Sequence, residues 1–223
     1  MSHTGAPEVV SVHDEPRHIH CFENEYFCAY RVVIPVGDKS LIHSHYEDTA
    51  YIALAVAEIG ELTLGATETT KSRLSPGICV CRHHRTDPLI HQVINQGETD
   101  MLMLGIELRK TPPSWSSQAL TDQHLKLLWE TDRLRAYKLK LEPGEKTSAD
   151  FSECYSMIAA VSRCELRLLQ GGEAAVSLPP GGFLWNAPHS QQFQNAGKVP
   201  LQAIVLEWLQ ATDTKQQMNS VNH

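Results

Sequence analysis

The chain of 223 residues is long enough to bury a sizeable core, either as one large domain or as two small ones. Its content of 42% hydrophobic and 20% charged residues is typical of an ordinary globular protein. The formal charge of -7 and the pI near 5.9, without any run of Lys or Arg, argue against nucleic acid as a partner.

The first half of the chain reads as short β-strands separated by turn residues. The segment "YRVVIPVG" (30–37) is rich in β-branched and aromatic residues and ends in Pro and Gly. The segment "TAYIALAVAEIGELTLG" (49–65) predicts two strands around a turn near Ile59 and Gly60. A Pro-Gly pair at 76–77 then precedes the next predicted strand.

The second half begins with a connecting segment. Residues 109–127 are predicted to be a linker, and their first part is rich in Pro and Ser. The pattern "TDQHLKLLWETD" (121–132) is the only helix-like one, and its second half falls in the next β unit. The segment "YKLKLEPG" (137–144) again ends in Pro and Gly, and residues 211–223 are predicted to be a flexible tail.

The two halves repeat each other. Gly37 aligns with Gly144 at an offset of 107, and Asn95 aligns with Asn195 at an offset of 100. The shrinking offset indicates deletions in loops, because a one-residue slip inside a strand would turn its side chains to the wrong face. The sequence therefore predicts an all-β protein of two tandem antiparallel β-barrels, at 1–108 and 128–210.

Three histidines of the first half are candidate metal ligands. In "GDKSLIHSH" (37–45), His43 and His45 stand one residue apart, so on a strand both side chains point to the same face. The third candidate is His91, within "DPLIHQVIN" (87–95). Imidazole nitrogens are common ligands of divalent transition metals.

These motifs resemble those of the cupin superfamily. Gly37, His43 and His45 match its first motif, G-x5-H-x-H, while His91 and Asn95 match its second, H-x3-N. The two copies make the chain similar to a bicupin. The resemblance implies two barrels of the jelly-roll (double-stranded β-helix) type, with one divalent metal ion per chain in the N-terminal barrel.

One ligand of the usual cupin pattern is missing. Cupins often carry a Glu four or five residues after the second His, where this chain has Thr49 and Ala50. Glu47 shares the parity of the His pair and is an alternative fourth ligand. The default three-His site resembles that of thiol dioxygenases, and its uncompensated charge of +2 favours anionic substrates. Fe²⁺ is the favoured ion, with Zn²⁺, Mn²⁺ or Ni²⁺ as alternatives.

The second copy does not repeat the ligands. Its three corresponding positions hold Asp150, Ser152 and Gln191. Ser and Gln are poor ligands, so we expect the C-terminal barrel to keep the scaffold without a metal ion. Asp150 and the nearby His189 remain weak alternative ligands.

Other histidines and tyrosines have weaker signals. His18 and His20 form a second H-x-H pair but align with leucines of the second copy, which indicates an edge or interface position. His83 and His84 fall in a loop and are expected to be solvated. Tyr51 follows the His-x-His strand, and we predict that it is a catalytic proton donor or a hydrogen-bond partner of the substrate.

The leading functional prediction is a metal-dependent cupin oxidoreductase, a non-haem iron dioxygenase that acts on a small organic acid or thiol. One alternative is a Lewis-acid isomerase, lyase or decarboxylase with Tyr51 or Glu47 as acid or base. Another is a non-catalytic bicupin that binds a small molecule. The expected partner is a small-molecule substrate, and the resemblance also implies a homodimer.

The expected location is the cytoplasm, without a membrane partner. The N-terminal residues show no basic region followed by an apolar core, so we expect no secretory signal. The longest apolar stretch, residues 50–57, is far too short to span a bilayer. Six cysteines lie scattered within apolar segments and are predicted to be reduced thiols.

Overall fold

The computed structural model describes residues 7–113, 118–169, 174–189 and 191–210. These residues form 18 β-strands and no helix, which confirms the predicted all-β class. None of the described residues belongs to a helix that could cross a membrane. The predicted flexible tail at 211–223 lies outside the described residues.

The chain divides into two compact units at the bond between Lys110 and Thr111. Two short segments of the second half, 159–163 and 178–182, group with the first unit. The sequence predicted that the first domain ends at residue 108, two residues before this bond.

The first unit contains ten strands in two five-stranded sheets. They are β1 (Val10–Ser11), β2 (His18–Glu23), β3 (Phe27–Ile34), β4 (His43–His45), β5 (Thr49–Ala53), β6 (Ala57–Thr63), β7 (Thr70–Leu74), β8 (Cys79–Arg82), β9 (Leu89–Asn95) and β10 (Met101–Leu108). One sheet has the order β1-β4-β9-β6-β7, and the other has the order β2-β3-β10-β5-β8. The pairing of β1 with β4 is parallel, whereas β4 pairs antiparallel with β9.

Strand β3 supplies part of the buried core of the first unit. Its sequence FCAYRVVI is rich in β-branched and aromatic residues, and Tyr30, Val32 and Ile34 belong to one buried apolar cluster. Tyr30 lies opposite Gly105 of β10. A Cβ atom at Gly105 would lie 2.4 Å from the Tyr30 ring, so this position admits only glycine.

Residues 125–208, most of which belong to the second unit, contain eight strands. They are β11 (Leu125–Glu130), β12 (Leu134–Leu141), β13 (Ser156–Ala160), β14 (Cys164–Leu168), β15 (Val176–Leu178), β16 (Phe183–Asn186), β17 (Phe193–Asn195) and β18 (Leu201–Trp208). The sheets have the orders β11-β12-β18-β13-β16 and β15-β14-β17.

The strand pairing repeats at the offsets seen in the sequence. Phe27 pairs with Leu108 in the first unit, and Leu134 pairs with Trp208 in the second. These pairs are related by offsets of 107 and 100 residues. The long central strand pair therefore has the same register in both units.

One local prediction was wrong. The turn expected near Ile59 and Gly60 lies at residues 54–56 instead, between β5 and β6. Both residues are held inside the sheet because β6 pairs with β7 on one side and β9 on the other.

The helix-like segment 121–132 contains a strand, as its partial assignment to the next β unit predicted. This strand, β11, starts at Leu125, inside the predicted linker, and pairs with β12.

Candidate metal centre

The structure brings His43, His45 and His91 together. His43 and His45 are the ends of the short strand β4, and His43 pairs directly with His91 of β9. Side chains two residues apart on a strand share a face, so both imidazoles of β4 point to the same side. All three residues are buried, with exposed fractions of 0%, 2% and 7%.

The ring nitrogens of these residues converge. Nε2 of His91 lies 3.1 Å from Nε2 of His43 and 3.2 Å from Nε2 of His45. Two nitrogens each about 2.1 Å from one ion are about 3.0 Å apart at an octahedral right angle and about 3.4 Å apart in a tetrahedron. The observed distances fall between these two values, so the three imidazoles fit a shared metal ion.

The outer nitrogens of two imidazoles lie near acceptor oxygens. Nδ1 of His43 lies 2.9 Å from the carbonyl oxygen of Leu41 and, since a carbonyl only accepts, this nitrogen donates. Nδ1 of His91 lies 3.4 Å from Oε2 of Glu61, and this neighbour lowers the pKa of the Glu61 carboxyl. Metal-binding histidines generally give the outer N–H to such partners, which leaves Nε2 as the ligand atom.

The third imidazole contacts a tyrosine. Nδ1 of His45 lies 3.2 Å from the phenol oxygen of Tyr51, the residue predicted to be catalytic. The same oxygen lies 3.4 Å from Nε2 of His84. Desolvation raises the pKa of Tyr51 well above its usual value, so the phenol stays protonated at neutral pH.

Burial keeps the imidazoles of His43 and His45 neutral. Desolvation, followed by the proximity of His91, lowers the pKa of His43 to about 4. The same two causes lower the pKa of His45 far below its usual range. Neutral imidazole is the form that binds a metal ion, so both rings are ready to act as ligands at neutral pH.

Sequence reasoning missed His18. Strand β2 is the edge strand that its alignment indicated, yet His18 is only 9% exposed and its ring centroid lies 4.7 Å from that of His43. The side chain of His20 is exposed, as expected for such an edge. The sequence signal that could have indicated a role for His18 is Glu15, the acidic residue three positions before it. The Glu15 carboxylate binds Nδ1 of His18 at 2.9 Å.

Glu15 is a buried carboxylate with several donors. Burial alone raises the pKa of this carboxyl, but hydrogen bonds from His18 and from the amides of Leu41 and Arg17 lower it to about 2. The residue is therefore ionised at neutral pH and places a negative charge beside the histidine cluster.

His84 was predicted to be solvated, and this was wrong. It is 3% exposed, and its ring stacks on that of His45 with a centroid distance of 5.1 Å. A turn explains the difference between neighbours, since the carbonyl of His83 accepts from the amides of Thr86 and Asp87. His83 stays exposed at this turn.

The carboxylates around the centre differ from the sequence-based picture. Glu47, the alternative fourth ligand, forms an ion pair with the guanidinium of Arg85. Glu15 and Glu61 instead contact outer nitrogens of the histidine cluster. These two carboxylates, which contact the outer nitrogens of the imidazoles, would thus balance part of the charge of a bound cation.

The second unit differs at the corresponding positions. Asp150 is exposed and Gln191 is buried, and residues 150–152 form no strand among the described residues. Between the two positions that replace the β4 histidines, Phe151 is buried and packs edge-on against Phe193 with a centroid distance of 5.0 Å. This aromatic packing favours the prediction that the second unit binds no metal ion.

Comparisons with known proteins give structural neighbours only. No protein-family model matches the sequence, and no curated protein matches it. AerE from Microcystis aeruginosa aligns with a TM-score of 0.58 at 12% identity, over 88% of this chain and 99% of that one.

Two further solved structures carry informative names. Salicylate 1,2-dioxygenase from Pseudaminobacter salicylatoxidans aligns with a TM-score of 0.59 at 8% identity, over 86% of this chain and 76% of that one. A cupin 2 conserved barrel domain protein from Leptotrichia buccalis aligns with a TM-score of 0.51 at 8% identity, over 86% and 88%. At such identities the likeness establishes the fold, which is the cupin type that the sequence predicted.

Proposed function

We propose that the protein is a bicupin whose N-terminal half binds one divalent metal ion, and that it is a non-haem iron dioxygenase of a small organic acid or thiol. The observation that supports this most directly is the convergence of the Nε2 atoms of His43, His45 and His91 at 3.1 and 3.2 Å. An Fe²⁺ ion bound there supplies redox chemistry with O₂ and positions for a substrate.

The hydrogen-bond pattern favours a cation over simple packing. Nδ1 of His43 donates to a carbonyl, and Nδ1 of His91 faces the Glu61 carboxylate. The proton of the His43 ring therefore lies on its outer nitrogen, and its inner lone pair faces Nε2 of His91. A metal ion bound there would accept this lone pair together with that of His91 in the tautomer that directs its outer N–H at Glu61.

Tyr51 is the residue proposed to handle a proton. Its protonated phenol lies between His45 and His84, so it can donate a hydrogen bond without first losing its own proton. The same property suits the second candidate function, a Lewis-acid isomerase, lyase or decarboxylase in which Tyr51 is the general acid.

A positive side chain supports an acidic substrate. Arg82 is exposed at the end of β8, two residues before His84, and its charge adds to the contact with His91 that lowers the pKa of Glu61. A guanidinium at this position in the chain suits a carboxylate group of the substrate. One structural neighbour is named as a salicylate 1,2-dioxygenase, so salicylate belongs in the test panel.

Elemental analysis tests the metal site. We expect about one divalent ion per chain in the wild type and a value near zero in His91→Ala, because removal of one of three ligands destroys such a site. His83→Ala is the matched control, since His83 is exposed. Equal metal content in the wild type and His91→Ala would overturn the proposed site.

Oxygen uptake tests the reaction. The protein loaded anaerobically with Fe²⁺ is mixed with aromatic acids including salicylate, 2-oxo acids, thiols and diketones, and oxygen consumption is recorded. We expect uptake with at least one of these compounds. One zinc ion per chain with no oxygen uptake favours the Lewis-acid function instead.

We also propose that the protein is a cytoplasmic homodimer. The six cysteines are all free thiols, which suits a reducing compartment. The homodimer follows from the cupin resemblance, and light scattering after size exclusion tests it against the chain mass of 24.9 kDa. A mass of one chain would contradict it.

A further inference from the structure

A fourth imidazole lies beside the three proposed ligands. The ring centroid of His18 is 4.7 Å from that of His43 and 6.2 Å from that of His45. One ring nitrogen of each of these three residues lies within 4.8 Å of the other two. Two nitrogens on opposite sides of one ion, each about 2.1 Å away, are about 4.2 Å apart. The limit of 4.8 Å is close to this separation, which makes His18 a candidate to share the ion.

The outer nitrogen of His18 is already bound. Nδ1 lies 2.9 Å from Oε2 of Glu15, whose side chain has no solvent exposure. A carboxylate only accepts, so Nδ1 carries a proton, and in the neutral form of the ring Nε2 carries the lone pair. No hydrogen bond of His18 Nε2 is found among the described residues. A ring nitrogen whose partner atom is fixed by Glu15 leaves the other nitrogen of the same ring to bind a ligand.

Glu15 connects His18 with His43. Its Oε1 accepts from the amide of Leu41 at 3.0 Å, and the carbonyl of the same Leu41 accepts from Nδ1 of His43 at 2.9 Å. The guanidinium of Arg17 donates to the same oxygen of Glu15 at 3.2 Å. The Glu15 carboxylate thus fixes the His18 imidazole directly and the His43 imidazole through Leu41. Such second contacts are expected around the ligands of a metal site.

We propose that His18 is a fourth nitrogen ligand of the metal centre and that Glu15 is the residue that positions it. This inference rests on the proposed metal site at His43, His45 and His91. The fourth ligand comes from the edge strand β2. This strand belongs to one sheet of the first unit, whereas β4 and β9 belong to the other. A bound ion therefore joins the two sheets at the start of β2.

Cobalt binding tests the ligand directly. The metal-free full chain is titrated with Co²⁺, and visible absorption and chelator competition give the ligand field and the dissociation constant. We expect His18→Gln to change the absorption bands and to weaken binding by at least 10-fold, and Glu15→Gln to weaken it by about 10-fold. His20→Gln is the matched control on the same strand and should equal the wild type, since His20 is exposed.

A second measurement guards against loss of folding. For each variant, Tm is measured with and without Co²⁺, so the rise in Tm refers to the metal-free form of the same variant. Amide hydrogen exchange of residues 15–20 is also recorded with and without the ion. We expect Co²⁺ to protect residues 15–20 in the wild type and in His20→Gln but not in His18→Gln. Equal protection in all three proteins would overturn the role of His18.

The outcomes separate this inference from the proposed function. A wild type that binds no Co²⁺ overturns both. Unchanged bands and affinity in His18→Gln, together with lost binding in His91→Ala, reject only the fourth ligand. Metal binding that depends on His18, without oxygen uptake by the iron-loaded protein, supports the ligand and rejects only the dioxygenase.

Discussion

The phenol oxygen of Tyr51 lies 3.2 Å from Nδ1 of His45 and 3.4 Å from Nε2 of His84. His45 is a proposed ligand, whereas His84 comes from the loop after β8. A hydroxyl can accept from one imidazole while it donates to the other, so these groups form a continuous hydrogen-bonded chain. The chain leads away from the centre to a residue that the sequence had placed in solvent.

Replacement of Tyr51 by phenylalanine should separate catalysis from metal binding. Tyr51→Phe removes the proton donor but none of the proposed ligands. We expect about one metal ion per chain and a fall in kcat of about 100-fold or more, the usual range for loss of a general acid. Elemental analysis and steady-state oxygen uptake on the best acid or thiol of the panel measure the two quantities.

Tyr46→Phe is the control for this experiment. Tyr46 is 59% exposed and five residues earlier in the chain, so the same chemical change there should leave kcat and metal content unaltered. A wild-type kcat in Tyr51→Phe would limit the role of Tyr51 to orienting His45.

The neighbours His83 and His84 should behave differently. His84→Ala removes a buried ring that stacks on His45, and we expect a fall of about 10-fold in kcat/KM with metal content unchanged. His83→Ala removes an exposed ring and should change neither. Equal effects of the two substitutions would contradict the position of His84 in the centre.

A double variant tests the hydrogen-bonded chain. Tyr51→Phe and His84→Ala both break the contact between the two residues, so their effects on kcat/KM should not add. We expect the double variant to be close to Tyr51→Phe alone. Strictly multiplicative losses would show that the two side chains act independently.

The scaffold could be predicted from the sequence because the same strands and turns are encoded in both repeats. Gly37 and Gly144 have positive φ angles of 73° and 83°, so this aligned pair adopts the same left-handed backbone conformation. Alternation along a strand likewise placed His43 and His45 on one face. Both inferences depend on local geometry that neighbouring residues determine.

The sequence could not predict His18 and His84, because their positions depend on contacts between distant segments. The alternation of β2 suggests the same environment for His18 and His20, and both pair with β3 in one register, yet only His18 is buried, in contact with Glu15 and His43. The alignment with leucines of the second copy was misleading, since that copy has no histidine cluster to complete. Burial of His84 likewise depends on a turn that periodicity does not reveal.

Asn95 and Asn195 should be structural residues of equal importance. Nδ2 of Asn95 donates to the carbonyls of Ile34 and Thr99 at 2.9 Å each, and its Oδ1 accepts from Gly97. Asn195 makes the three corresponding bonds in the second unit. We expect Asn95→Ala and Asn195→Ala each to lower the free energy of unfolding by about 2–4 kcal/mol, because buried backbone groups lose their partners.

Urea unfolding measures this loss, and aspartate provides the control. Asn95→Asp keeps the acceptor for Gly97 but loses both Nδ2 donors, so it should remain destabilised. Asn195→Ala should keep about one metal ion per chain at temperatures where the protein is folded. A loss of metal from Asn195→Ala in the folded state would contradict a purely structural role.

Asp122 should stabilise the second unit in a pH-dependent way. Its carboxylate accepts from the amides of His124 at 2.7 Å and Ala149 at 2.9 Å, and from both the amide and the hydroxyl of Ser148. Burial alone raises the pKa of Asp122, but these hydrogen bonds outweigh it and lower the pKa below the usual value. The folded state therefore binds this proton less readily than the unfolded state does.

The resulting stability is complete above the unfolded pKa of about 3.9 and disappears as pH falls through the lower folded pKa. We expect Asp122→Asn to cost about 1 kcal/mol at pH 7, a value reduced by partial solvent exposure, and progressively less below about pH 4. Urea unfolding at several pH values measures the difference. Asp132→Asn, in an exposed turn, should show no such trend. A cost for Asp122→Asn that grows as pH falls would mean that the carboxylate is not the form stabilised in the folded state.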